Sequence, residues 1–286
     1  MREKNKKKLF IIINMSSESP IVITYENDDT NTNSHNFFRT LKVNDWDFVR
    51  VGIGEKWEGF ISKIHAYRKI CDSFDDKKIL IFSDARDVFC LRHPKAFVDA
   101  FRYLDCEILF SAEICCEGKL SVDDSYVGKQ CTSLAPYFHY HKLKPPVRKF
   151  VNAGLIAGYT GALKNYWQWV IDNSFKDDQL AAGSFMNKFP EKVKLDSDAL
   201  ILHTSGFGVE GGIYAIHSQK HDAPTYSELF GCGAFFLHLP GVWMKGQRYL
   251  YEVINEHLGK HKSTAISELY TSRVPGWNDY NDLGKD

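Results

Sequence analysis

Two carboxylates stand three residues apart at the end of an apolar run, Lys78-Ile79-Leu80-Ile81-Phe82-Ser83-Asp84-Ala85-Arg86-Asp87. The run has strand length. A strand that ends in Asp84 and Asp87 offers hard oxygen ligands of the kind that Mg2+ or Mn2+ takes together with phosphate oxygens. The same pattern also suits a helix N-cap or surface ion pairs, because Arg86 lies between the acids and can pair with either. If the two acids share a metal, the chain is an enzyme acting on a phosphate-bearing donor.

The elements around this run say how it is held. Residues 9–14 read as a buried first strand, and residues 21–25 as a second strand or part of a longer loop. A helix begins near Ser34, and residues 47–51 form a short strand. Residues 55–74 read as an amphipathic helix with Phe60, Ile64, Tyr67 and Cys71 on one stripe. Pro94 opens a helix running to about residue 104. Residues 107–110 form a strand that runs into Ser111-Ala112-Glu113. This alternation predicts a mainly parallel sheet covered by helices, with ligands beyond the carboxyl ends of the strands. Residues 114–149 break the rhythm. After them come strands at 150–159, 199–203, 213–217 and 234–238, and helices at 162–171, 178–187 and 248–258.

Bulk properties narrow the class. At 286 residues the chain can bury a large core, and 44% hydrophobic with 25% charged residues is ordinary for a globular protein. A formal net charge of zero gives no global basic field for nucleic acid. The lysines from Lys4 to Lys8 read as a solvated tail. No run is long enough to span a bilayer, and no signal-peptide pattern is seen. Seven cysteines, with Cys115 and Cys116 adjacent, show neither disulfide nor zinc spacing. A cytoplasmic location, host cytoplasm for a viral protein, is therefore the expectation.

The segment Asp84-Ala85-Arg86-Asp87 resembles the acidic "DxD" signature of GT-A glycosyltransferases, in the variant found in the procollagen lysyl hydroxylase and collagen glycosyltransferase group. Three later segments agree in order. Phe110-Ser111-Ala112-Glu113 is similar to that group's "FSAE". Residues 150–159, Phe-Val-Asn-Ala-Gly-Leu-Ile-Ala-Gly-Tyr, resemble its "LNSGxxIGY", and Asp177-Asp178-Gln179 its "DDQ". The resemblance implies a late histidine as third metal ligand. His238, before Pro240-Gly241, fits that place, with His203 as competitor. Lys245 resembles the lysine of an "HxxGxxK" element with one extra residue, and would neutralise the departing diphosphate. Trp57-Glu58-Gly59 and Lys63 resemble the group's "WxGG" and downstream lysine, with Phe60 replacing the second glycine. Trp57 can stack on a base or sugar, or be a core tryptophan at a helix start.

These readings combine into one expectation. The fold is α/β, a GT-A (Rossmann-like nucleotide-binding) single domain with a mixed, mainly parallel central sheet. Residues 1–8 form a basic tail, 9–260 the glycosyltransferase domain (9–113 nucleotide-binding, 114–260 acceptor and catalytic), and 261–286 a polar tail. The enzyme moves a hexose or pentose from a UDP-sugar to a hydroxyl of a glycan or glycoprotein, using Mn2+ or Mg2+. Asp84, Asp87 and His238 bind metal. Asp177 or Asp178 is the general base of an inverting reaction, or stabilises the oxocarbenium-like sugar of a retaining one; a helix N-terminus alone also explains both acids. Asn14, Trp57, Lys63, Arg86, Glu113, Asn152, Gly154, Gly241 and Lys245 contact the donor. The resemblance extends to chlorovirus- or mimivirus-like enzymes, which makes a viral capsid glycan a candidate acceptor. A metal-dependent phosphohydrolase and a non-catalytic nucleotide-sugar-binding module are the competing classes.

Overall fold

A computed structural model describes residues 19–113, 148–204 and 234–240. Within them nine strands form one sheet: β1 (Ile21–Tyr25), β2 (Asp47–Val51), β3 (Ile79–Ser83), β4 (Val88–Cys90), β5 (Ile108–Glu113), β6 (Phe150–Tyr159), β7 (Val193–Asp196), β8 (Leu202–Thr204) and β9 (Phe236–His238). The helices are α1 (Thr32–Val43), α2 (Phe60–Cys71), α3 (Phe97–Tyr103), α4 (Thr160–Asp172) and α5 (Asp178–Lys188); a 3-10 turn, Pro94–Ala96, leads into α3.

The strand order is β2-β1-β3-β6-β5-β8-β9-β4, with β7 also paired to β5. Pairs β1–β2, β1–β3, β5–β7, β5–β8 and β8–β9 are parallel, whereas β3–β6, β5–β6 and β4–β9 are antiparallel. The sheet is thus mixed and mainly parallel, as expected.

Alternation along the strands sends side chains to two faces. On one face Ile21, Ile23, Leu80 and Phe82 pack with Ile64 and Tyr67 of α2, Leu163 and Trp167 of α4, and Phe185 of α5. On the other, Val22, Ile79 and Ile81 pack with Phe37 and Leu41 of α1 and Phe97 and Phe101 of α3. Three layers, helix on sheet on helix, result.

The elements expected at residues 9–14, 213–217 and 248–258 lie outside the described residues. Others are corrected. The strand beside β3 is Ile21–Tyr25, wholly buried and flanked by parallel strands on both sides. Its end, Tyr25-Glu26-Asn27, is what lies next to the acidic strand end. The helix expected from residue 55 begins at Phe60, because Gly59 adopts φ 89° and ends the preceding loop. Phe60 consequently leaves the buried stripe and is exposed; Lys63, Ile64, Tyr67 and Cys71 form that stripe. The strands β4 and β7 were not expected. Among the described residues no helix is long and apolar enough to cross a membrane.

Candidate functional site

The acidic turn between β3 and β4 carries Asp84 and Asp87. Strand β3 delivers it because Ile79–Ser83 is buried along its whole length between β1 and β6. The Asp84 main-chain N–H then donates to Gly154 O of β6 at 2.9 Å, and Leu239 N donates to Asp87 O at 2.8 Å. The second bond brings the end of β9, and so His238, against the turn. One ligand atom each from Asp84, Asp87 and His238 lies within 4.8 Å of the others. His238 Nε2 is 3.5 Å from Asp87 Oδ1 and 4.0 Å from Asp84 Oδ2.

The imidazole is oriented from behind. Asn152 Oδ1 accepts the Gly154 N–H at 2.8 Å, which fixes it as the amide oxygen. The same oxygen lies 2.9 Å from His238 Nδ1, so Nδ1 carries the proton and Nε2 faces the carboxylates. Burial works against a charge on His238, but Asp87 and then Asp84 outweigh it and raise its pKa above the ordinary 6.5. Two carboxylates plus an imidazole held in place by the Asn152 amide are a donor set that fits a divalent cation.

Register decides between the two histidines. Thr204 pairs with His238 and His203 with Leu237, so His203 points to the other face of the sheet. There its Nε2 lies 3.2 Å from Arg148 Nη2.

Gly154 is required by this arrangement. The β5–β6 register shifts between Phe110, opposite Ile156, and Ser111, opposite Asn152. Gly154 lies in the resulting bulge. A Cβ built there would stand 2.2 Å from His238 Cε1 and 2.6 Å from Nδ1.

The start of α5 closes the site from the other side. Asp177 caps the helix, accepting Leu180 N–H at 2.8 Å on Oδ1. Asp178 is buried and ion-paired with Lys63, Nζ to Oδ2 at 2.5 Å. Lys63 Nζ also lies 2.7 Å from Asp84 Oδ1. Burial opposes the lysine's charge, but Asp178 and Asp84 outweigh it and hold its pKa well above the usual lysine value. Lys63 therefore bridges Asp84 of the acidic turn and Asp178 of α5; its ammonium is enclosed by the protein's own acids.

A buried polar chain extends from the imidazole. Asn152 Nδ2 is 3.4 Å from both Glu113 Oε2 and Gln179 Oε1, and Gln179 Nε2 donates to Glu113 Oε1 at 3.0 Å. Gln179 was quoted in sequence only as part of a motif. Its place in the chain follows from its position one residue after Asp178, in the first turn of a helix whose start faces the site.

The remaining expected residues fall as follows. Trp57 is 45% exposed, with its ring centroid 5.4 Å from that of Tyr25 and 6.0 Å from that of Phe60, so it is not a core tryptophan. Arg86 pairs with neither Asp84 nor Asp87; its partner is Glu26, from Nε at 3.0 Å and Nη2 at 2.8 Å. Asn14, Gly241 and Lys245 lie outside the described residues.

No curated protein matches the chain. Among solved structures, the chain is similar to a glycosyltransferase involved in the glycosylation of the major capsid of PBCV-1, at 10% identity and TM-score 0.44, covering 82% of this chain and 100% of that one. It is similar to 4-diphosphocytidyl-2C-methyl-D-erythritol synthase from Anaerococcus prevotii DSM 20548 (12% identity, TM-score 0.36, 63% of this chain and 86% of that one). A third is the apo-form glycosyltransferase GlyE of Streptococcus pneumoniae TIGR4 (15% identity, TM-score 0.41), where 78% of this chain covers 54% of that one. The sequence pattern of the PLOD GT domain matches residues 16–207, about two thirds of the chain. By that match, which takes in the acidic turn, Glu113, Asn152 and Asp177-Asp178, the chain belongs to the PLOD GT domain family of glycosyltransferases.

Proposed function

We propose that this glycosyltransferase moves a hexosyl or pentosyl group from a UDP-sugar to a hydroxyl of a glycan or glycoprotein, with Mn2+ or Mg2+ held by Asp84, Asp87 and His238. The observation that carries the reading is the convergence of those three ligand atoms within 4.8 Å at the carboxyl ends of the strands. A divalent cation bound there supplies positive charge to the departing diphosphate.

The chain's own residues supply the rest. Glu113, Asn152 and Gln179 form a hydrogen-bonded polar wall beside His238, suited to sugar hydroxyls. In the transfer, the bond between the anomeric carbon and the β-phosphate oxygen breaks, and its electron pair leaves on UDP. The acceptor oxygen forms the new bond to the anomeric carbon. Asp178, the inward-facing acid of the α5 start, is the carboxylate suited to take the acceptor's proton in an inverting reaction, or to stabilise the sugar cation in a retaining one. Asp177 caps the helix, whereas Asp178 reaches through its Lys63 pair toward Asp84 and the acidic turn, which favours Asp178 for this role.

The test is UDP release from a panel of UDP-sugars with Mn2+ present or chelated. Metal-dependent release that rises when a sugar acceptor is added supports transfer. Equal release without acceptor would instead favour a phosphohydrolase. Tight UDP-sugar binding with no turnover across acceptors would favour a binding module.

A further inference from the structure

Glu26 follows β1, and its side chain is only 1% exposed. Oε2 accepts from Arg86 Nε at 3.0 Å, and Oε1 accepts from Arg86 Nη2 at 2.8 Å and from the Asp28 main-chain N–H at 3.0 Å. The Glu26 N–H donates to Val51 O at 3.0 Å, which ties the residue to β2 as well. The carboxylate is therefore held by Arg86 and by the Asp28 N–H of the loop that follows β1, while the main chain of the same residue is tied to β2.

Its partner is placed very differently. Arg86 is 49% exposed and stands between Asp84 and Asp87 in the acidic turn. A fork through Nε and Nη2 uses two of the five guanidinium N–H donors. The other three, including both on Nη1, make no hydrogen bond to any described residue.

Stability is a poor reason for this pair. Burying a carboxylate carries a desolvation penalty that a half-exposed partner returns only in part, and an apolar residue at the same place would serve the fold as well. What the pair does achieve is orientation. It holds the outward edge of one guanidinium at the carboxyl ends of β1 and β3, on the same short turn as the two metal carboxylates. A planar cation whose other three donors meet no described residue, beside a candidate cation site, is matched to anionic oxygens rather than to a neutral ring.

We propose that Glu26 is a positioning residue that aims Arg86 at the diphosphate of the donor. The inference rests on the donor reading given above and goes beyond it by assigning the anion contact and the residue that sets it.

Titration calorimetry with UDP and with uridine, both in the presence of Mn2+, tests it on the wild type, Arg86→Ala, Glu26→Gln and the double variant. Arg86→Ala should weaken UDP binding about tenfold or more, the loss of a charge-assisted contact, and leave uridine unchanged. Glu26→Gln should weaken UDP in the same direction. The double variant should bind UDP no worse than Arg86→Ala alone, because Glu26 acts only through Arg86. Mn2+ affinity without nucleotide should not fall in Arg86→Ala, because removing a positive charge beside Asp87 does not disfavour the ion. A merely structural Glu26 would lower the melting temperature without moving UDP affinity.

The proposal is overturned if Arg86→Ala binds UDP like the wild type, if uridine loses as much as UDP, or if the double variant is weaker than Arg86→Ala. Glu26→Asp, which keeps the charge but shortens the reach, replaces Glu26→Gln should the latter fail to fold. A wild type that binds no UDP with Mn2+ refutes the donor reading itself; UDP binding that ignores Arg86 refutes only the present inference.

Discussion

Replacing Gly154 by alanine isolates the geometry of the proposed metal centre without touching Asp84, Asp87 or His238. The added Cβ would lie 2.2, 2.6 and 2.9 Å from three atoms of the His238 ring. The backbone at Gly154 has little freedom to retreat, since its N–H donates to Asn152 Oδ1 and its carbonyl accepts from Asp84 N. The imidazole is therefore the part that must yield, by roughly 1.3–1.8 Å to reach ordinary carbon–carbon contact. That shift breaks the Nδ1 contact to Asn152 or moves Nε2 off its line to Asp87. We expect Mn2+ affinity, measured by calorimetry or by the paramagnetic signal of free Mn2+, to fall about 10- to 100-fold, the range for disturbed ligand orientation. Overpacking should also destabilise the apo protein by about 1–3 kcal/mol. Gly158→Ala is the control. Its Cβ would crowd Glu107 O at 2.8 Å and Leu163 Cγ at 3.1 Å, away from the metal carboxylates. It should lose comparable stability and keep Mn2+ affinity. Equal Mn2+ binding by Gly154→Ala and the wild type would refute the placement of His238.

Three further outcomes follow from the same contacts. Lys63→Met leaves Asp178 buried and the partly exposed Asp84 without their shared cation, which should destabilise the apo protein by about 3 kcal/mol; Mn2+ should raise its melting temperature more than that of the wild type, and an equal rise would contradict the bridge. His238 has a raised pKa, so its contribution to apo stability is fully present below 6.5 and lost as pH rises through the raised value. Mn2+ must displace that proton, so its affinity should climb as pH rises from below 6.5 through the raised value, and a flat titration curve would refute the linkage. Tyr67 OH donates to Ser83 O at 3.0 Å and accepts from Tyr25 N at 3.1 Å; Tyr67→Phe should cost about 2 kcal/mol in denaturant unfolding, and no loss would show that the two strand ends are held by other means.

Much of the site could be read in the sequence because its members are local signals. An apolar run ending in Asp84 and Asp87, a helix opening with Asp177-Asp178, and a histidine before Pro240 are each visible in a window of a few residues. What stayed hidden depends on partners far along the chain. Nothing near Arg86 indicates Glu26, sixty residues earlier. Lys63 reads as a free donor lysine until β3 and α5 bring Asp84 and Asp178 to it. The choice of His238 over His203 rests on a one-residue register that alternation alone leaves open. The strands β4 and β7 were missed because three or four residues give too short a pattern to detect. The helix start at Phe60 was missed because a glycine with positive φ, and no capping side chain, marks it.

The central claim is that Asp84, Asp87 and His238 hold the cation that meets the donor's diphosphate. The direct measurement is a crystal structure of the protein grown with Mn2+ and UDP, with data collected to locate manganese by its anomalous scattering. The account predicts one manganese peak at bonding distance from an oxygen of Asp84, an oxygen of Asp87 and Nε2 of His238, with a UDP phosphate oxygen on the same ion. UDP bound with no manganese at these three residues, or manganese bound elsewhere on the chain, would contradict it.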